Sequence, residues 1–244
     1  MSVLALAAAL AAATVSFLGT TESRPPPVVV LDPGHNARAN LGTEPIGPGA
    51  SRRKVKDGGG ATGVVSGTPE AVVTLDVSLR LRLLLRRAGV RVLMTRTRTR
   101  GVNRGNIALA GVANRARADL FLRVHADSAT DPSVRGTHTL YPARRRGWTD
   151  DIYATSRRAA RLVQRALVQR LGFPDRGLDE RGDITGFNWS DRPAILVELG
   201  FLSNPTEDRL LNTPAYRRRA ARGLCEGTLR FVGLVSRLAE CRTA

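Results

Sequence analysis

The chain has 244 residues, 42% of them hydrophobic and only 5% aromatic, so aliphatic side chains must supply the core of one large domain. Its formal net charge is +17, and 36 of its 38 basic residues are arginines, because Lys54 and Lys56 are the only lysines. This charge favours acidic or polyanionic partners. No recognition-helix, zinc-finger or RNA-stacking motif accompanies it, so we do not expect a nucleic-acid-binding protein.

The first 23 residues have the pattern of a secretory signal. Residues 2–18 form an alanine-rich apolar run that is short for a membrane span, and a polar stretch follows. We predict a signal peptide over 1–23, with an uncleaved anchor as the alternative because the run has no preceding Lys or Arg. Segment 24–27 then reads as a stiff proline linker, and 28–244 as the folded domain. We therefore expect an exported protein of the periplasm, cell wall or extracellular space.

The first predicted strand brings a histidine to the edge of a sheet. Branched aliphatic residues at 28–31 predict a buried strand that ends at Pro33-Gly34, which places His35 at its carboxyl end. Residues 36–67 contain eight glycines and a basic cluster, Arg52, Arg53, Lys54 and Lys56. We predict a flexible insertion here, either a mobile flap beside the site or a solvated loop.

The next element is a helix that begins at the same sheet edge. Thr68-Pro69-Glu70 predicts a helix start with Thr68 as its N-cap, and the helix continues to about residue 88. Val72, Leu75, Leu79 and Leu83 predict its core-facing stripe. Because the helix follows the first strand, Glu70 is expected near His35.

Two later strands carry further polar residues of the same kind. A strand at 120–124 presents His125, and an apolar strand from 194 presents Glu198, whose burial requires a partner or a metal. His138 lies on a strand at 136–141 and is expected to be structural. A helix over 151–171 with an arginine-rich solvated face, a polar loop over 174–192 and a last helix from 214 complete the chain.

The only two cysteines are Cys225 and Cys241. On one straight helix they would lie roughly 24 Å apart, at 1.5 Å per residue. A disulfide therefore requires the chain to turn back near Gly233, and the sequence leaves pairing and free thiols equally open.

The alternation of strands and helices predicts a single α/β domain with a mainly parallel twisted sheet and helices on both faces. His35, Glu70, His125 and Glu198 then lie at one edge of that sheet. Two histidines and one carboxylate form a catalytic zinc set with one position left open, and a second carboxylate can act as general base and acid.

These residues resemble those of a known family, the zinc-dependent N-acetylmuramoyl-L-alanine amidases called Amidase_3. The resemblance covers about 28–232 and rests on Leu-Asp-Pro-Gly-His at 31–35, Glu70, Ala-Asp-Leu-Phe-Leu-Arg-Val-His-Ala at 118–126 and Val-Glu-Leu-Gly-Phe-Leu-Ser-Asn at 197–204. It implies that His35, Glu70 and His125 bind Zn²⁺ and that Glu198 is the catalytic carboxylate. The family often has glycine where this chain has Asn36, which leaves the shape of the cleft entrance open.

The resemblance also implies a function. We expect a peptidoglycan hydrolase that cleaves the amide bond between N-acetylmuramic acid and L-alanine in peptidoglycan or muropeptides, and that works as a monomer. Two alternatives are an inactive cell-wall-binding protein and a zinc peptidase that cuts another cell-wall peptide bond. Because the sequence has no added wall-binding module, we expect its positive charge to hold the protein on the wall, through the basic cluster or the arginine-rich helices.

Overall fold

A computed structural model describes residues 25–101 and 103–242. Within them, the framework is a six-stranded sheet, and two further strands form a separate hairpin. The strands are β1 (Val28–Pro33), β2 (Asn40–Pro45), β3 (Arg53–Asp57), β4 (Arg91–Met94), β5 (Leu120–Asp127), β6 (Thr137–Pro142), β7 (Asp175–Arg181) and β8 (Ala194–Phe201). The helices are α1 (Glu70–Arg87), α2 (Asn106–Arg115), α3 (Tyr153–Leu171), α4 (Thr185–Asn188), α5 (Pro205–Leu211) and α6 (Pro214–Phe231), followed by a 3-10 helix at Val235–Cys241. The strand order is β4-β1-β5-β8-β6-β7, while β2 and β3 form a separate hairpin.

The main sheet is mostly parallel, as the sequence predicted. β1 runs parallel to β4 and β5, β5 to β8, and β6 to β7, whereas β6 and β8 are antiparallel. β5 and β8 lie in the middle and consist almost wholly of buried residues, which explains their continuous apolar sequences. The prediction of a single, mainly parallel α/β domain is therefore confirmed.

Helices cover both faces of this sheet. On one face α1, α3 and α6 pack against alternate residues of β1, β5 and β8, such as Leu31, Leu122 and Val197. On the other face α2 and α4 pack against the intervening residues, such as Val30 and Phe121. The period-two alternation of a strand therefore decides which helix layer each side chain meets.

The buried stripe of α1 differs from the predicted one. Val72 and Leu83 are 37% and 50% exposed, Leu79 is half-buried, and only Leu75 of the predicted stripe is buried. The buried apolar positions include Val73, Val77, Leu81, Leu84 and Leu85. Because apolar residues occur around most of this helix, several helical phases fit its sequence, and packing against the sheet selects one of them.

The start of α1 also differs in detail. Pro69 occupies the N-cap position and no side chain caps the helix. The hydroxyl of Thr68 bonds the Asn212 side chain instead, at 3.1 Å. Thr68 was therefore wrongly predicted as the cap, although Glu70 does lie in the first turn.

The segment 36–67 contains an antiparallel hairpin, so the prediction of an irregular loop is wrong, while the mobility of the segment stays a prediction. Glu44 of β2 is buried and its carboxylate accepts hydrogen bonds from the first two backbone N–H groups of α2, Asn106 at 2.6 Å and Ile107 at 3.2 Å. A carboxylate at the positive end of a helix dipole is favourable. The hairpin is thereby attached to α2, and the basic cluster lies on and beside β3 rather than in a loop.

The predicted polar loop over 174–192 contains two regular elements. β7 pairs with β6 at the edge of the main sheet, and α4 packs its buried Phe187 beneath the site face. β7 is short of aliphatic residues because it is an edge strand that is only partly buried. Its polar sequence therefore has the composition of a loop.

A disulfide bond connects α6 to the end of the 3-10 helix that follows it. The chain turns at Gly233, with φ of +82°, and returns along α6 so that the Cα atoms of Cys225 and Cys241 lie 5.8 Å apart. The two cysteines are bonded, and the turn that pairing requires is at the predicted glycine.

The predicted signal peptide at 1–23 lies outside the described residues. Of the predicted linker, residues 25–27 lead without regular structure into β1. Within the part of the chain that the structure describes, no helix combines the length and apolarity that a bilayer span requires.

Candidate metal centre and active site

His35 follows β1 in a tight turn that the sequence makes possible. Its backbone is left-handed, with φ of +56°, and Gly34 precedes it. A Cβ atom on Gly34 would lie 2.6 Å from the ring of His125, so only glycine allows the two histidines to approach. Their ring centroids lie 5.0 Å apart.

Glu70 lies between the two histidines. One carboxylate oxygen is 3.0 Å from His125 Nδ1 and the other is 3.5 Å from His35 Nε2. The same carboxylate accepts backbone N–H bonds from Ala61 at 2.9 Å and Ala126 at 3.1 Å, which fix its position. The three side chains offer ligand atoms within 4.8 Å of one another, close enough to share one metal ion.

The protonation states of His125 and Glu70 suit metal binding, whereas the pKa of His35 is raised, because the hydrogen bond to Asp57 and the charge of Glu70 outweigh the effect of its burial. Burial lowers the pKa of His125, which favours the neutral imidazole that a metal requires. Burial opposes ionisation of Glu70, yet the hydrogen bond to His125 and the nearby His35 hold its pKa below the ordinary value. Nε2 of His125 has no hydrogen-bond partner among the described residues. Two imidazoles and an ionised carboxylate match the donors of a catalytic zinc site.

Asp57, at the end of β3, is a functional candidate that the sequence did not reveal. Its Oδ1 lies 2.5 Å from His35 Nδ1, and its Oδ2 accepts hydrogen bonds from Asn36 N at 3.1 Å and Asn103 Nδ2 at 2.6 Å. Burial opposes its ionisation, but the hydrogen bonds from His35, the backbone N–H of Gly59 and the Asn103 side chain lower the pKa of Asp57 to about 2. The negative carboxylate therefore fixes the ring of His35 and leaves Nε2 facing Glu70.

Gly60, in the segment before α1, has a packing role in the same group. A Cβ atom on Gly60 would lie 2.7 Å from the His35 ring and 2.8 Å from Glu70 Oε2, and its φ is +76°. This glycine therefore lets the backbone pass directly over two candidate ligands. Of the glycine run at 58–60, Gly60 is therefore required by close packing, whereas a Cβ atom on Gly58 would meet nothing within 4 Å.

Glu198 lies beside His125 on the neighbouring strand. The two residues are register partners between β5 and β8, and both alternate with the residues that face α1 and α3. Glu198 is buried, and its Oε2 has no hydrogen-bond partner within the described ranges. Burial, followed by the negative charges of Glu70 and Asp127, raises the pKa of Glu198 well above its ordinary value. Burial and negative neighbours thus disfavour the charged form of this carboxyl group.

The third histidine completes the row across the sheet. His138 on β6 is the other register partner of Glu198, and its Nε2 lies 3.5 Å from Asp127 Oδ2. Its ring stacks on Phe201 with centroids 5.9 Å apart, and burial lowers its pKa. His138 is not a member of the metal-capable group.

A cavity of about 240 Å³ opens beside His35 and His125, between the hairpin, α2 and α4. The cationic side chains that line it are Lys54, Lys56, Arg96, Arg104 and Arg123. The carboxylates in the lining are Asp32 and Asp57. Leu109, Ile184 and Leu196 supply an apolar wall.

Fold and site together define a class: an α/β domain with a group of histidine and glutamate ligands at the carboxyl edge of a parallel sheet, of the kind that supports hydrolysis. Residues 29–230 match the family model described as Amidase_3, N-acetylmuramoyl-L-alanine amidase. The chain therefore belongs to this family of peptidoglycan hydrolases.

Individual relatives agree with this assignment. An N-acetylmuramoyl-L-alanine amidase of Mycobacterium tuberculosis is 32% identical over 214 residues, which cover 84% of this chain and 86% of the relative. The crystal structure of the N-acetylmuramyl-L-alanine amidase Ami1 from Mycobacterium smegmatis superposes with a TM-score of 0.78 at 30% identity, over 86% of this chain and 98% of that one. The crystal structure of Ami1 from Mycobacterium abscessus superposes with a TM-score of 0.77 at 26% identity, over 86% of this chain and 100% of that one.

Proposed function

We propose that this chain uses a zinc ion to hydrolyse the amide bond between N-acetylmuramic acid and L-alanine of the peptidoglycan stem peptide. The observation that carries the proposal is the group formed by His35, Glu70 and His125, with ligand atoms within 4.8 Å, next to the buried Glu198. Amide hydrolysis needs an activated water molecule and a group that moves its proton. These two requirements correspond to the metal group and to Glu198.

His35, Glu70 and His125 are the residues that would hold Zn²⁺. When bound, the ion activates water as a nucleophile by lowering its pKa towards ~7 and polarises the scissile carbonyl as a Lewis acid. Asp57 keeps the His35 ring in one orientation through the bond to Nδ1. Glu70 is kept in place by the N–H groups of Ala61 and Ala126, so the ligands are arranged before any metal arrives.

Glu198 acts as general base and then as general acid. Its carboxylate accepts the proton of the attacking water, and the carboxyl group then donates that proton to the leaving nitrogen of L-alanine. Burial and negative neighbours raise the pKa of Glu198, which makes proton uptake favourable. Its Oε2 accepts no hydrogen bond from any described residue, so no protein donor competes with this proton transfer.

Digestion of purified peptidoglycan, with mass analysis of the released fragments, tests this function. We expect stem peptides with a free N-terminal L-alanine, and no such fragments from a Glu198→Gln variant that retains its zinc. Fragments cut at another peptide bond would identify a zinc peptidase instead. Binding to the wall without any release would identify an inactive wall-binding protein.

We also propose that the protein is exported and acts as a monomer outside the cytoplasm. The apolar segment 2–18 and the Cys225–Cys241 disulfide support export, because disulfides persist in oxidising compartments. Cell fractionation of chains with and without residues 1–23 tests this, and light scattering of the purified protein tests the monomer. Equal export of both chains would remove the signal assignment.

A further inference from the structure

The cavity beside the metal group contains a buried arginine. Arg123 is only 5% exposed and lines the cavity two residues before His125 on the same face of β5. At ~3.3 Å per residue the two Cα atoms lie about 7 Å apart. The buried positive charge of Arg123 therefore lies close to His125, a candidate metal ligand.

The hydrogen-bonding capacity of Arg123 is only partly used. Nε donates to Asp32 Oδ2 at 2.8 Å and Nη2 donates to Asn106 Oδ1 at 2.8 Å. The guanidinium has five N–H donors, and Nη1 makes no hydrogen bond with any described residue. Gly186 of α4 allows this placement, because a Cβ atom there would lie 2.5 Å from Nη1.

Cations also outnumber carboxylates at the mouth of the cavity. Lys54 is paired with Asp183 at 3.1 Å, whereas Lys56 and Arg104 have no ion pair within the described ranges. Asp32 is neutralised by Arg123 and also bonds the Thr95 hydroxyl, at 2.6 Å. The cavity therefore has an excess of positive charge and suits an anionic group.

We propose that this cavity binds the leaving stem peptide through a carboxylate on the residue after L-alanine, which accepts a hydrogen bond from Arg123 Nη1. Lys56 and Arg104 attract the same carboxylate at the mouth. This proposal rests on the amidase function proposed above. Two residues of extended peptide span about 7 Å, which is the spacing between His125 and Arg123 along the strand. The apolar wall of Leu109, Ile184 and Leu196 faces the methyl group of L-alanine.

The structural alternative is that Arg123 only pairs with Asp32 to hold the sheet edge. A buried ion pair gives little net stability over apolar replacements, and this one leaves Nη1 of a cavity-lining side chain without a hydrogen bond to any described residue. The two roles predict different results. Recognition makes the rate depend on the charge of the substrate, whereas a purely structural role affects all substrates alike.

Two synthetic muramyl peptides test the proposal, identical except that the α-carboxyl group of the second stem residue is free in one and a carboxamide in the other. With wild-type protein we expect a kcat/KM about 10-fold higher for the free acid, because charge-assisted hydrogen bonds exceed neutral ones. Arg123→Gln should abolish that preference. Arg218→Gln, an exposed change on α6, is the matched control and should leave the preference unchanged.

The failures of the two proposals are distinguishable. Equal kcat/KM for both substrates with wild-type protein would overturn the carboxylate subsite and leave the amidase function standing. Hydrolysis of neither would overturn both. Because Arg123→Gln leaves Asp32 buried and unpaired, a double variant with Asp32→Asn restores neutrality, and zinc content and thermal unfolding check its fold. A preference that persists in a folded double variant would also overturn the role of Arg123.

Discussion

The two faces of the main sheet bury very different side chains. Under α1, α3 and α6, the strands contribute aliphatic residues such as Val29, Leu122 and Ile195 to one large apolar cluster. On the opposite face, the carboxyl ends of the same strands present Asp32, Arg123, His125 and Glu198, all buried. One set of strands thus provides a stable framework on one side and an array of charged groups on the other.

This difference shows what the hairpin contributes. Buried charged groups are costly unless they are paired, and the central strands alone provide too few partners. The hairpin supplies Asp57 to His35 and Glu44 to the start of α2. The hairpin therefore supports a charged face on a sheet whose other face is apolar.

The largest expected effect is on the metal group. His35→Ala and His125→Ala should each lose the bound zinc and all measurable hydrolysis, because the two remaining ligands do not complete a catalytic site. Metal analysis of the purified variants against wild type measures this. Undiminished zinc in both variants would contradict the ligand assignment.

Changes at Glu198 should separate chemistry from metal binding. Glu198→Ala should keep the zinc and the fold but lower kcat by ~10²–10⁴-fold, the usual contribution of a general acid and base. Steady-state kinetics on a soluble muropeptide, with parallel metal analysis, provide the measurement. Loss of zinc with an intact fold would make Glu198 a ligand, and wild-type activity would exclude it from the mechanism.

A substitution on the apolar face should lower the stability of the fold and leave zinc binding unchanged. Leu81 is fully buried, so Leu81→Ala should lower the free energy of unfolding by about 2–5 kcal/mol. The zinc dissociation constant of the folded protein should be unchanged. Denaturant unfolding and a metal-competition titration measure the two quantities, and a coupled change in both would mean that the faces are not independent.

Asp57 is expected to act through His35. Asp57→Asn should weaken zinc binding by about 10–100-fold, because second partners of ligating histidines have effects of this size. Asp191→Asn, at an exposed position, is the matched control. Zinc titration with a competing chelator distinguishes them, and equal affinities in the two variants would show that Asp57 does not tune the metal site.

The smallest expected effect concerns retention on the wall. Replacing Arg52, Arg53, Lys54 and Lys56 by Ser should reduce co-sedimentation with insoluble wall, because exposed charges attract anionic polymers over ~8 Å at physiological salt. Binding of the wild type should also weaken as salt rises. If the variant binds normally, the contact lies on the arginine-rich helices, and salt-independent binding would mean that charge does not retain the protein.

The sequence predicted the sheet, its mainly parallel pairing and the four edge residues, because apolar runs ending in His35, His125 or Glu198 are strong local signals. Its predictions failed where pairing partners are distant in sequence. β2 and β3 contain few apolar residues, and β7 is an edge strand, so none of the three has the apolar pattern that marks a buried strand. Asp57 could not be recognised as a partner of His35, because that contact depends on how the hairpin folds over the sheet.

The disulfide has a consequence for where this protein matures. In a reducing cytoplasm Cys225 and Cys241 remain thiols, and the 3-10 helix is attached to α6 by packing alone. After transfer to an oxidising compartment, the bond closes a loop of 16 residues, which in the chain-entropy account stabilises the native state by about 3 kcal/mol. If the chain is exported as proposed above, its fold is therefore more stable after export than in the reducing cytoplasm. Residues at its carboxyl end therefore link the stability of the fold to the compartment that contains its proposed substrate.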